Sequence, residues 1–285
     1  MEHVSHPPRS APASSTQRLL TAAVGTPIIV AGILLLSGIW FFLFAAVIFT
    51  WTAFEYVEIV RPRAPHAPLS VLVLLVPLAA LVMTLPLDPE REQLLLLALG
   101  ALTSVGIGSL VLLARTPLDE TMESLGILAF GLPYFAVPLA SIYRLQHRDS
   151  WLVFLLLAIV WLGDTAAFYV GSRFGRHKLA PTISPKKSWE GAAAGFLTGL
   201  AAAVAWSFWR RGRLEPELLV VAAFTAAAAQ VGDLVESMIK RGVGVKDSGH
   251  LLPGHGGLLD RCDALLFAAP VLQLGIWLLP PAVPH

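Results

Sequence analysis

Four side chains in the segment Gly232-Asp233-Leu234-Val235-Glu236-Ser237-Met238-Ile239-Lys240-Arg241 can act together if the segment is helical. Asp233, Glu236, Ser237 and Lys240 stand at i, i+3, i+4 and i+7, which puts them on one helical face. A glycine-rich loop from Gly242 to Leu259 follows and carries Lys246, Asp247 and His255. It leads into Asp260-Arg261-Cys262-Asp263, where Asp260 and Asp263 are again i, i+3 neighbours. Acids with only oxygen to offer, converging from two helix ends, suit a hard cation such as Mg²⁺, which takes one or two carboxylates together with waters and substrate phosphates. Asp233, Asp260 and Asp263 are the ligands expected, with a second cation as an open alternative. Lys240, Arg241, Lys246 and Arg261 would hold the remaining phosphate charge. The plainer alternative is an ion-pair network capping two helices, with the glycines serving only turns. It leaves the number of converging polar groups without a reason. His255 would be unremarkable alone, but its glycine-rich setting places it beside the same groups.

A second polar run precedes this one. Gly171-Ser172-Arg173-Phe174-Gly175-Arg176-His177-Lys178 and Ser184-Pro185-Lys186-Lys187-Ser188-Trp189-Glu190-Gly191 bring glycines, hydroxyls and at least five basic residues into one loop. Small residues let backbone amides approach phosphate oxygens, Arg173, Lys186 and Lys187 neutralise them, and Ser188 stands just before an expected helix start. The spacing is not that of a Walker A loop. Taken alone, a basic loop of this kind reads equally well as membrane topology or attraction to anionic lipid. Asp164, inside the apolar stretch before the loop, is too costly to leave facing lipid and implies a polar cavity or an interhelical hydrogen bond.

These residues need a frame that composition identifies as a membrane one. The chain has 285 residues, 56% hydrophobic and only 14% charged, with a mean hydropathy of +0.71, outside the range of soluble domains. About 20 apolar residues cross a bilayer core. The spacing predicts an all-α polytopic membrane protein with about nine transmembrane helices, near 18–37, 39–60, 69–86, 94–113, 123–143, 151–171, 191–209, 217–239 and 263–280. Residues 1–17 read as a disordered cytoplasmic tail, 18–150 as a transmembrane scaffold and 151–285 as the catalytic region of a single membrane domain. Ser37 and Gly38 alone separate the first two spans, which form either a tight hairpin or one broken helix. With nine spans and the N-terminus inside, 14 of the 20 basic residues fall on the inner side, which favours that arrangement by the positive-inside rule. The polar loops 172–190 and 240–262 then share the cytoplasmic side. Glu55 and Glu58, near the inner end of the second span, read most simply as interfacial residues among headgroups.

A formal net charge of +1 supplies no field to draw in nucleic acid, and the single cysteine, Cys262, excludes an internal disulfide and a cysteine-rich zinc site.

From Ser237 to Asp263 the chain resembles the signature of phosphatidate cytidylyltransferases, also called CDP-diacylglycerol synthases. The matching positions are Ser237, Lys240-Arg241, Lys246-Asp247, a small residue at Ser248 or Gly249, Pro253, His255-Gly256-Gly257, Asp260-Arg261 and Asp263. Cys262 departs from the usual residue at its position and reads as inert packing. The specific resemblance covers roughly 160–263, including the segments around Asp164 and Ser184 to Gly191, while 1–150 agree in hydrophobic pattern only. It implies a Mg²⁺-dependent reaction of CTP with phosphatidate, giving CDP-diacylglycerol and pyrophosphate, in a bacterial inner membrane with the active site on the cytoplasmic side. In that reading Asp233, Lys240, Arg241, Lys246, Asp247, His255, Asp260 and Arg261 form the catalytic set. Asp164, Arg173, Lys186, Lys187, Ser188, Glu236 and Ser237 bind substrate. A homodimer is a candidate assembly. The rival readings are another lipid nucleotidyltransferase or lipid kinase, a secondary transporter for an anion, and a non-catalytic scaffold, which leaves the acids and bases unexplained.

Overall fold

The computed structural model describes residues 15–249, 251 and 256–279. His255 and most of the tail expected at 1–17 lie outside the described residues. Among the described residues nine helices follow one another: α1 (Ser15–Leu35), α2 (Gly38–Val60), α3 (Val71–Met83), α4 (Pro89–Leu113), α5 (Leu118–Arg148), α6 (Ser150–Phe174), α7 (Trp189–Arg211), α8 (Pro216–Gly242) and α9 (Leu259–Leu278). Each coincides with one of the expected spans. A short 3₁₀ turn, Arg61–Arg63, extends α2.

Among the described residues six stretches have the length and apolar composition to cross a membrane: Gly38–Arg63, Leu118–Arg148, Ser150–Phe174, Trp189–Arg211, Pro216–Gly242 and Leu259–Leu278. The protein is an integral membrane protein on that basis. Among the described residues the remaining three expected spans contain shorter apolar stretches, Ala23–Leu35, Val71–Met83 and Leu97–Leu113. α3 has 13 residues and is about 20 Å long at 1.5 Å per residue, short of a 30 Å hydrocarbon core. An apolar run in sequence counts residues that the chain then spends on loops at either end.

At the joint between α1 and α2, Gly38 takes φ +54°, a left-handed conformation that glycine adopts without a Cβ penalty. Gly32 lies against the Phe44 ring, equally far on the other side of the joint. The chain therefore doubles back as a hairpin.

The all-α expectation needs one addition inside the loop 172–190. Strands β1 (Lys178–Ala180) and β2 (Ser184–Ser188) pair antiparallel, with Lys178 opposite Ser188 and Ala180 opposite Ser184. β2 contains Ser-Pro-Lys-Lys-Ser, which shows no alternation of apolar residues and so carries no strand signal.

α5 packs against α2, α3, α4, α6 and α9, and its Phe135, Ala136 and Leu139 are fully buried. Tyr56 of α2 meets Phe135 edge-on with ring centroids 5.4 Å apart, and Tyr134 meets Phe267 of α9 at 6.0 Å, so aromatic contacts carry the core from α2 to α9. Large apolar side chains such as Val47, Leu102, Leu112, Phe168 and Phe224 point outward, the arrangement a hydrocarbon solvent requires. Polar ties collect at the two ends of the bundle. At one end Arg63 donates to the Gly242 carbonyl, His66 pairs with Glu120, and Arg241 donates to the Ile183 carbonyl. At the other, Arg148 donates to Ile276 and Arg210 pairs with Asp149. The loops 172–190 and 243–258 thus share an end, as the charge distribution predicts.

Candidate active site

The acidic face of α8 sits where α8 and α9 come closest. A Cβ on Gly232 would stand 2.7 Å from the Asp263 carbonyl oxygen, so only glycine admits this approach, which brings Asp233 alongside the start of α9. Asp263 lies within electrostatic reach of Asp233, Glu236 and Asp164. Asp164 in turn is within reach of Asp233, Lys187 and Arg261. Its side chain is exposed on the bundle surface. Three carboxylates, from α6, α8 and α9, therefore share one electrostatic neighbourhood.

The basic hairpin meets this neighbourhood directly. Lys187 of β2 forms an ion pair with Asp233 of α8. Its position follows from local structure. Ser188, buried at 3% exposure, is the N-cap of α7, its hydroxyl accepting from Gly191 N at 3.2 Å. Gly171, Gly175 and Gly191 crowd around that hydroxyl. Glu190 accepts from the backbone N–H groups of Arg176 and His177 and pairs with the His177 ring at 2.7 Å. The loop is thereby closed over the start of α7, and Lys187 projects from the last strand residue before the cap. The Ser188 hydroxyl expected to face a phosphate is used by α7 itself.

Two turns further along α8 from Asp233, Lys240 is 8% exposed and stands 2.6 Å from Asp260 Oδ1 and 2.7 Å from Glu236 Oε1. The approach to Glu236 is close but off the hydrogen-bonding direction, so it is an ion pair rather than a hydrogen bond. Asp260 is fully engaged. Besides Lys240, its oxygens accept from Ser248 N at 3.1 Å and Gly257 N at 2.8 Å. It folds the glycine-rich loop back onto the N-terminus of α9, where a carboxylate is favoured by the helix dipole.

The described residues hold no group of three or more His, Cys, Asp and Glu side chains gathered closely enough to ligate a metal. The expected trio Asp233, Asp260 and Asp263 is not assembled as such. Asp233 and Asp263, within electrostatic reach of one another, nonetheless offer the oxygen-only donors that a hard cation takes. Two carboxylates supplemented by substrate phosphates suit Mg²⁺, which rarely occupies a cage made by protein alone.

Most of the other expected residues are exposed or half-buried. Arg173 is exposed at the end of α6, its guanidinium 5.8 Å from the Phe174 ring centroid. Lys186, Lys246, Asp247 and Arg261 are exposed, and Ser237 is half-buried on the α8 face. Arg241 holds the hairpin turn and the loop together through Ile183 O and Val245 O at 3.3 and 2.8 Å. Cys262 is buried, as its packing role predicts.

One residue the sequence reading left among headgroups belongs here. Glu55 of α2 is 4% exposed. It accepts from Trp51 Nε1 at 3.1 Å, Ser248 Oγ at 3.1 Å and Leu259 N at 2.8 Å. Its partners are 193 and 204 residues away along the chain, and no local periodicity announces them.

Comparison with known proteins establishes the family. The cytidylyltransferase family matches residues 16–279, nearly the whole chain and every described element. The chain belongs to the cytidylyltransferase family. Proteins named phosphatidate cytidylyltransferase are among its relatives within that family. That of Rickettsia felis is 38% identical over 163 residues, covering 54% of this chain and 72% of the relative. That of Staphylococcus haemolyticus is 41% identical over 170 residues, 58% of this chain and 65% of the relative. That of Staphylococcus epidermidis is 37% identical over 210 residues, 72% of this chain and 79% of the relative. The chain thus spans just under two thirds of the Staphylococcus haemolyticus protein and more of the other two.

Proposed function

We propose that this chain transfers the cytidylyl group of CTP to phosphatidate, giving CDP-diacylglycerol and pyrophosphate at the cytoplasmic surface of a bacterial inner membrane. The observation that carries the reading is the Lys187–Asp233 pair. It joins the basic hairpin, suited to a polyphosphate, to the acidic face of α8, suited to a cation, at the membrane end where a lipid phosphate would lie.

In the reaction, an anionic oxygen of the phosphatidate monoester attacks the α-phosphorus of CTP. A new P–O bond forms as the bond to the β-phosphate bridging oxygen breaks, and pyrophosphate leaves with that electron pair. No protein nucleophile is needed, since the attacking oxygen is already an anion. The protein's share is alignment and neutralisation of charge. Lys187, released from Asp233 by an incoming nucleotide, holds triphosphate oxygens, with Lys186 and Arg173 on the rim. Arg241 keeps hairpin and loop in register, and Lys246, Arg261 and Asp247 border the same opening. Asp233 and Asp263 would hold Mg²⁺ with Asp164 nearby, and Asp260 would join them only by releasing Lys240. When bound, the cation would neutralise phosphate charge during transfer.

Transport of an anion is the alternative tested by the same preparation. Purified protein in micelles, given CTP, phosphatidate and Mg²⁺, is expected to form CDP-diacylglycerol, and EDTA to abolish it. Uptake of CTP into protein-containing vesicles without any lipid product would overturn the proposal. A homodimer belongs to the same reading, and the mass of the detergent-solubilised particle tests it.

A further inference from the structure

The N-terminal half contains a buried acid with no evident role in phosphate chemistry. Glu55 lies on α2, in a segment otherwise suited to lipid, yet its carboxyl group is turned into the protein against the glycine-rich loop. Ser248 Oγ and Leu259 N, which flank residues 249–258, both donate to Glu55 Oε2, at 3.1 and 2.8 Å. Trp51 Nε1, one helical turn before Glu55, donates to Oε1 and fixes the rotamer.

The same loop ends are held from the opposite direction by Asp260, which accepts from Ser248 N and Gly257 N. Ser248 is therefore clamped twice, by its hydroxyl to Glu55 and by its amide to Asp260. A Cβ on Gly249 would stand 2.9 Å from Glu55 Oε1, and one on Gly257 would run into Glu55 and Ser248 Oγ. These two glycines let the loop backbone close onto the acid. Leu259 N is one of the first amides of α9, which no residue of that helix can satisfy. Glu55 supplies the acceptor, and the positive end of α9 favours a carboxylate there.

We infer that Glu55 is a positioning residue for transfer, the anchor through which the scaffold helix α2 fixes Ser248 and the start of α9, and with them Asp260 and its partner Lys240. This rests on the cytidylyl-transfer reading for its activity readout, but not for its structural one. Glu55 does not touch substrate. It acts by holding both ends of the loop, so that Asp260 and Lys240 remain paired where phosphates bind.

The chemistry separates its conservative variants. In Glu55→Gln, one side-chain oxygen can still accept from Leu259 and Ser248, but the amide NH₂ then faces the Trp51 N–H, donor against donor. Trp51→Phe removes that conflict. The double variant W51F/E55Q is therefore expected to recover most of what E55Q alone loses.

The test combines turnover with local hydrogen exchange on the full chain in micelles. E55Q is expected to lower kcat about tenfold. Exchange should rise at Ser248 and Leu259 while the amides of α6 and α7 keep their protection. W51F/E55Q should return to within about threefold of wild type. A cycle of Glu55→Ala with Ser248→Ala should be strongly non-additive, the double variant falling little below the worse single one, as residues sharing one hydrogen bond behave.

Wild-type turnover in both E55Q and Glu55→Ala would overturn the inference and leave the transfer reading intact. Protection lost throughout the helices would also overturn it, by showing a general structural role. An inactive wild type would count against the transfer reading, and the exchange pattern would then decide the inference alone.

Discussion

Lys240 of α8 and Asp260 of α9 meet at 2.6 Å in a largely buried position, with Glu236 on the other side of the ammonium at 2.7 Å. One cation thus serves two acids on two helices. Removing one member of a buried ionic group leaves the others without compensation, which costs far more than the pair contributes when intact.

Lys240→Met is therefore expected to destabilise the fold by about 3 to 5 kcal/mol, read as a lowered denaturation midpoint in micelles, and to abolish transfer. Asp260→Asn should lose activity with a smaller stability cost, because an amide oxygen can still accept from Ser248 and Gly257. Equal midpoints for wild type and Lys240→Met would contradict the burial argument.

The ion pair of Lys187 with Asp233 makes a different claim, about binding. Lys187→Ala should raise the apparent KM for CTP about tenfold, the scale of one lost charge-assisted hydrogen bond, with little change in the melting temperature. Lys187→Arg should recover part of the affinity. An unchanged KM would move the nucleotide away from the hairpin.

Packing at Gly232 is testable without touching a charged group. Gly232→Ala puts a methyl 2.7 Å from the Asp263 carbonyl oxygen, so α9 must shift, and turnover should fall at least tenfold. Gly106→Ala, where nothing lies within 4 Å of an added Cβ, should retain wild-type turnover. Similar activities for the two variants would show that the α8–α9 approach does not set the site.

Ser188 separates a folding role from a phosphate-binding one. Ser188→Ala removes the α7 cap and should cost about 1 kcal/mol of stability. Ser188→Asp should restore stability as a cap while placing a negative charge beside Lys187. A melting temperature unaffected by Ser188→Ala would argue against the cap.

How much of this was legible in the sequence depends on the range of each interaction. The α8 face could be read from spacing, since helical period alone aligns Asp233, Glu236 and Lys240. The grouping of the two polar loops followed from charge asymmetry, and the α8–α9 approach from Asp260 and Asp263 near a glycine-rich turn. Glu55 could not be read, because α2 looks like any apolar span and its partners Ser248 and Leu259 lie two thirds of the chain away. β2 was hidden because its pairing with β1 uses backbone groups beneath a charged, proline-containing sequence. The full engagement of Asp260 was hidden too. A carboxylate that ligates a cation and one that folds a loop have the same sequence signal, and only the positions of Ser248 N and Gly257 N distinguish them.

The most direct measurement follows the label from CTP carrying a radiolabel on either its α- or its γ-phosphorus, with phosphatidate, Mg²⁺ and the wild-type or Asp263→Asn protein. Cytidylyl transfer places α-label in the lipid and γ-label in pyrophosphate, and Asp263→Asn should form little of either product. Appearance of γ-label in the lipid would identify a kinase and contradict the account, as would full activity in Asp263→Asn.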